Sequence, residues 1–272
     1  MKFIYGLLAL MLTHTAVQAQ EEKKEADSSK RKTITINKNG IHIDTTAIKV
    51  KKEEKVFEVE FGIVDIGINT IQDNTDYSSA AVKNFLQVPA DFQNSNLFTM
   101  RSGKSINVNV YPLVGKFRVL KTKQQKIYMS LGLGLQMYNF RYNKNISYLN
   151  EAQPMVILDS IGFTKNKLGF TYLSVPLGFT FKTKLAEKAW LVYGVGISGG
   201  YRIASWTKQV SAERGKDKNH DKFNFNDFNS CLTGEIGLDG YFRLYASYQL
   251  TNLHENALEQ KPFCIGIRIG GI

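Results

Sequence analysis

Beyond Lys55 the sequence runs in long segments where apolar residues alternate with small or polar ones. The clearest spans residues 127–142. One parity carries Ile127, Met129, Leu131, Leu133, Leu135 and Met137; the other carries Tyr128, Ser130, Gly132, Gly134, Gln136 and Tyr138. Successive side chains of a strand point to opposite faces, so this segment has one apolar face and one of small or polar groups. The same division recurs at 173–182, 191–198, 242–250 and 263–270. Three strands are less regular. Residues 57–70 change parity near Gly62 and Ile63, the mark of a bulge. Residues 105–119 are broken at Pro112, and 231–238 are few and Gly-rich. The pattern predicts eight strands, an even number as single-chain bacterial barrels require.

The non-apolar face is built of Gly, Ser, Thr and scattered Arg, which suit a crowded interior better than a watered surface. The apolar face is long and nearly uncharged, which suits lipid. Connections alternate between long (71–104, 143–169, 205–227, 254–261) and short (121–125, 183–187, 239–240). Long outer loops and short periplasmic turns are the outer-membrane arrangement. The fold expected for residues 55–272 is therefore all-β: an eight-stranded antiparallel up-and-down transmembrane β-barrel. Tyr138, Phe140, Tyr142, Phe170, Tyr172 and Tyr201 gather at strand ends and are expected in interfacial girdles.

The chain opens with Lys2, an apolar run at 3–12, polar Thr13-His14-Thr15, and Val17-Gln18-Ala19. This is the three-part secretory signal, with cleavage expected after Ala19. The apolar run is about half the ~20 residues of a spanning helix. Residues 20–54 are Lys/Glu-rich with almost no aromatics, as in a weakly ordered periplasmic segment. Within it, Thr33-Ile34-Thr35-Ile36 and Ile41-His42-Ile43 flank Asn37-Lys38-Asn39-Gly40, a short hairpin signal.

The formal net charge is +11, yet the basic residues are dispersed and no nucleic-acid-binding motif is present, so nucleic acid is not an expected partner. Lys116, Arg118, Lys121, Lys123 and Lys126 flank one short turn, and Lys182, Lys184 and Lys188 another, against Glu187 alone. These basic turns are expected in the periplasm, on the phosphates of membrane lipids or on an acidic periplasmic or envelope protein. By parity Glu60, Glu235, Arg243 and Arg268 face the interior, from strands that become contiguous once the barrel closes. Isolated charges there would be costly, whereas Glu and Arg can satisfy one another. A charge network that plugs the interior, with Glu60 coupled to Arg268, is expected in place of a pore.

The two cysteines, Cys231 and Cys264, share the interior parity two strands apart, roughly 9–10 Å at ~4.8 Å per strand. A disulfide needs Cα atoms within about 7 Å, so free thiols are expected. No metal site or cofactor is expected from the spacing of Cys and His. His254-Glu255, at the end of the seventh strand, is the rim pair that a surface enzyme would use.

The chain resembles the PorT-like family of outer-membrane β-barrel proteins over about residues 55–272. The matching pieces are Asp65-Ile66-Gly67-Ile68-Asn69, Leu131-Gly132-Leu133-Gly134-Leu135, Tyr172-Leu173-Ser174-Val175-Pro176-Leu177-Gly178, Tyr248-Gln249-Leu250 and Gly266-Ile267-Arg268-Ile269-Gly270. Members tied to protein secretion across the outer membrane make a non-enzymatic accessory in secretion or envelope assembly the expected role. The alternative is a small rim-active enzyme or a binder of lipid or small molecules.

Overall fold

The computed structural model describes the backbone of residues 30–37 and 40–47, and residues 56–149 and 153–271 in full. The expected signal and most of 20–54 lie outside the described residues. The chain divides into two units, Met1–Lys55 and Val56–Ile272. In the first, β1 (Lys30–Asn37) pairs antiparallel with β2 (Gly40–Ala47), Asn37 opposite Gly40.

In the second unit, β3 (Phe57–Asp73) leads through α1 (Ala80–Phe85) and β4 (Leu86–Gln87) to β5 (Ile106–Lys121). Next come β6 (Gln125–Tyr142), the small hairpin β7 (Ile146–Leu149) and β8 (Met155–Leu158), then β9 (Lys165–Ala186) and β10 (Ala189–Ser211). The unit ends with β11 (Gly215–His220), β12 (Phe228–Leu238), β13 (Arg243–Gln249) and β14 (Gln260–Ile269). Strands β3, β5, β6, β9, β10, β12, β13 and β14 pair antiparallel in chain order, and β14 returns to β3. The result is a ring of eight strands.

Alternation sets the two faces of the ring. On β6, Leu131 and Leu133 are exposed while Tyr128, Gln136 and Tyr138 are buried. On β14, Phe263, Ile265, Ile267 and Ile269 are exposed and Cys264 is buried. The parity change in β3 sits at Gly62, whose φ of 74° is open to glycine at little cost. The expected break at Pro112 is instead a bulge in a continuous strand. Register to β6 slips between Val110 and Leu113, and Pro112 has no partner on either neighbour. A residue without an N–H fits where no ladder bond is required, and pairing on both sides holds the strand together.

The long connections are not plain loops. The first holds α1, capped by Ser79 Oγ accepting from the Val82 amide, and contributes β4 to a three-stranded sheet in the order β4-β8-β7. The third extends β10 into a hairpin with β11. These segments carry Val82, Phe85, Leu86, Leu97, Ile146, Val156, Phe225 and Leu253, which bury in one cluster with Tyr138, Phe140, Tyr142, Phe170 and Tyr172 of the strands. This corrects the expected girdle. Of the six aromatics assigned to it, only Tyr201 is exposed; the other five point inward and pack against loop residues. Their parity places them inside, and the loops supply the apolar partners that make burial favourable.

Gly134 shows how tightly the ring is filled. It lies opposite the bulge, where a Cβ would collide with the Tyr111 ring. Gly134→Ala should therefore destabilise the fold by about 1–3 kcal/mol, measured as a lower urea midpoint in detergent. Adding Tyr111→Leu should recover part of that loss, and an unchanged midpoint in the single variant would contradict the contact.

Candidate functional site

The interior is organised in layers, beginning with charge at the end that carries the short turns. The β3–β14 register sets Asp65 directly opposite Arg268. The guanidinium donates to both Asp65 oxygens, at 2.6 and 2.8 Å, and to Glu235 Oε2 at 3.0 Å. Its planar fork fits a bidentate carboxylate, and its face lies 4.7 Å from the Tyr245 ring centroid. Arg243 reaches the other Glu235 oxygen at 3.5 Å. Lys116 Nζ donates to Glu60 Oε1 at 2.6 Å. Three carboxylates thus face three cations in a space whose residual cavity is about 50 Å³.

The structure places Glu60, Glu235, Arg243 and Arg268 in ion pairs, in a pairing that differs from the one expected. Arg268 is held by Asp65 and Glu235, and Glu60 is held by Lys116, with no Glu60–Arg268 contact among the described residues. Lys116, assigned to a solvent-facing turn, is buried inside the ring. The bulge at Pro112 resets parity along β5 and so directs it inward. Asp65 carried no expected role, although the parity change at Gly62 places it on the inner face. The last strand adds a further element. Gly270 and Gly271, at φ 87° and 72°, turn the chain toward the ring mouth. Their carbonyls accept from Arg243 Nη2 at 2.5 Å and Lys116 Nζ at 3.2 Å.

Of the remaining basic residues, Lys121, Lys123, Lys184 and Lys188 are exposed, while Arg118 and Lys126 are partly covered. Lys126 Nζ lies 4.9 Å over the Trp190 ring, and Lys182 turns to Asp239 at 2.6 Å.

Above the charges lies a polar layer that includes Asn107, Asn109, Gln136, Asn229 and Gln249, all buried. Gln136 donates to Ser198 at 3.0 Å, and Asn109 donates to Asp65 and to the Tyr245 hydroxyl at 3.2 Å each. Cys231 and Cys264 are both buried and free. Cys264 Sγ donates to Asn107 Oδ1 at 3.5 Å.

The aromatic cap closes the loop end. His254 is not a rim residue but a core one. Its ring stacks on Tyr148 at 6.1 Å and lies 4.9 Å from Phe225, and neither ring nitrogen has a partner. Burial drives its pKa down from 6.5 to about 3, although Asp73 opposes the shift. Glu255 is exposed. Beside the cap a cleft of about 400 Å³ opens between Asp73, Phe98, Met100 and Asn143. Among the described residues no group of His, Cys, Asp and Glu is arranged to hold a metal.

No protein-family model matches the sequence, and no characterised relative matches it. Among solved structures the chain is similar to Ail, the attachment invasion locus protein of Yersinia pestis. The alignment covers 78% of this chain and 98% of that one, at 11% identity and a TM-score of 0.28. The same protein in complex with the heparin analogue sucrose octasulfate aligns at 11% identity and a TM-score of 0.27, with the same coverage.

Two outcomes follow from this geometry. Asp65→Asn should cost about 3–5 kcal/mol by leaving Arg268 underpaired. Double-mutant cycles in detergent should find strong coupling for Asp65–Arg268 and Glu60–Lys116, and near-zero coupling for Glu60–Arg268. His254 gives a pH dependence. The unfolded chain takes up its proton near pH 6.5 and the folded one only near 3. Stability should therefore fall as pH drops through that window, by up to ~1.4 kcal/mol per unit. His254→Phe should remove this component when melting is followed against pH; parallel curves for the two proteins would contradict it.

Proposed function

We propose that the protein is an outer-membrane β-barrel closed to permeation, acting through its two ends as a non-enzymatic accessory in envelope assembly or protein secretion. One observation carries the reading. Exposed aliphatic and aromatic side chains circle all eight strands, with Ile66, Leu131, Val195 and Ile265 between 43% and 60% exposed, while the inward positions are charged, amide-bearing or aromatic. A continuous apolar surface of this extent is costly in water and natural in a bilayer. An interior filled down to a cavity of about 50 Å³ argues against transport and leaves the ends as the working surfaces.

The exposed lysines at the turn end suit inner-leaflet phosphates or an acidic periplasmic protein. The folded cap suits recognition at the cell surface. The burial of His254, whose ring lies in the aromatic core, weighs against a rim enzyme built on that histidine. The resemblance to the PorT-like family supports the secretion branch of the proposal.

The mature chain should fractionate with outer membranes and begin at Gln20 by intact mass. Trypsin added to intact cells should cut between Arg214 and Lys222, while Lys121–Lys123 stays protected until the outer membrane is opened. Planar bilayers should register no steady conductance. Recovery in the soluble periplasm, or a stable open channel, would overturn the reading. Affinity purification from mild detergent should then return a stoichiometric envelope partner whose retention falls for Lys123→Glu/Lys188→Glu.

A further inference from the structure

Past the apolar belt, strands β6, β9, β10 and β11 continue as a sheet whose register aligns cations. Arg141 lies opposite Lys167, Lys167 opposite Lys208, and Lys208 opposite Lys218. Four adjacent strands thus carry one unbroken row of positive charge, at ~4.8 Å per strand. One step further out, Lys165 and Lys216 flank Val210. The intervening positions, such as Leu168 and Thr207, are buried toward the cap, so the cations share the outward face.

Like charges placed directly opposite one another destabilise a sheet. Among the described residues no carboxylate pairs with Lys167, Lys208 or Lys218; Asp159 is held by Arg214 and Ser147, and Asp217 accepts from Asn219. Partial burial, then Lys216, Lys165 and Lys218, hold the Lys208 ammonium below its ordinary pKa. Arg141 supplies a second, independent observation. It is 9% exposed, donates through Nη2 to the Thr164 carbonyl at 2.7 Å, and leaves its buried Nε without a partner.

We propose that this row binds the phosphate groups of an outer-leaflet glycolipid. The position selects a lipid over a free anion. Trp206 lies flat over Gly169, between the belt and the row, with Lys218 Nζ 5.1 Å over its ring. Lys208 stands roughly 16 Å along the strand beyond the exposed Ile203, at ~3.3 Å per residue. That is the layer of sugar headgroups above the acyl chains. The bound phosphates relieve the repulsion within the row. The proposal rests on the membrane placement proposed above.

The test uses the full mature protein in nanodiscs, titrated with deep-rough lipopolysaccharide and with the same material after removal of its phosphates. Wild type should bind the phosphorylated form preferentially. Lys167→Gln/Lys208→Gln/Lys218→Gln should weaken that binding by roughly tenfold or more, and Lys83→Gln, exposed on α1 and outside the row, should leave it unchanged. Without lipopolysaccharide the triple variant should melt at the same or a higher temperature than wild type; with it, at a lower one. Equal binding of the dephosphorylated lipid, an unaffected triple variant, or saturation by inorganic phosphate at the same affinity would overturn the site. Flotation with phosphatidylcholine vesicles separates the two readings. A protein that inserts yet shows no phosphate preference overturns the site alone, and one that does not insert overturns both.

Discussion

The structure depends on the pairing of Arg268 with Asp65, because it lies where the last strand meets the first. β14 and β3 are the most distant ring strands in the sequence, and a hairpin turn cannot hold them together. Main-chain bonds join them in register, and the bidentate ion pair fixes that register from inside. Glu235 extends the clasp to β12, so one guanidinium ties three strands. A shift by one residue would turn Arg268 onto the apolar face, where no counter-charge waits. The clasp therefore specifies the pairing of β14 with β3 as much as it strengthens it.

Everything else in the interior answers the same constraint of a narrow space that must be filled. Near the clasp the filling is ionic, and two glycine carbonyls supply the acceptors that side chains do not. Toward the loops it becomes amide-rich and then aromatic. This gradient follows solvent access. The charged layer sits near a mouth lined by short turns, while the aromatic layer is covered by folded loops that exclude water.

The strands and their outer faces were legible in the sequence, because a period of two is a local signal and lipid-compatible faces leave it intact. The interior was legible only where parity ran unbroken. Arg243 and Arg268 lie on regular strands and Glu235 on a short strand without a parity change, so their direction follows from alternation. Lys116 follows the bulge at Pro112, which hides its parity, and a lysine near a strand end looks like a solvated one. The aromatics Tyr138, Phe140 and Phe170 misled for another reason. Residue type suggested an interface, while parity pointed inward, and the partners that decide the matter come from loops distant in the sequence, such as Phe225 and Leu253. His254 was misread on the same ground.

A cap with a shared core means that its loops are not separate appendages. α1 and β4 from the first connection, β8 from the second, Phe225 from the third and Leu253 from the fourth rest on one another. An epitope grafted over any one of them would remove part of the support of the rest. The tip joining β10 to β11 is different: Glu213, Arg214 and Gly215 are exposed, and Gly215, at φ 65°, is the turn glycine to keep. For displaying foreign peptides on this scaffold, that hairpin tip is where cargo can be carried without unseating the lid.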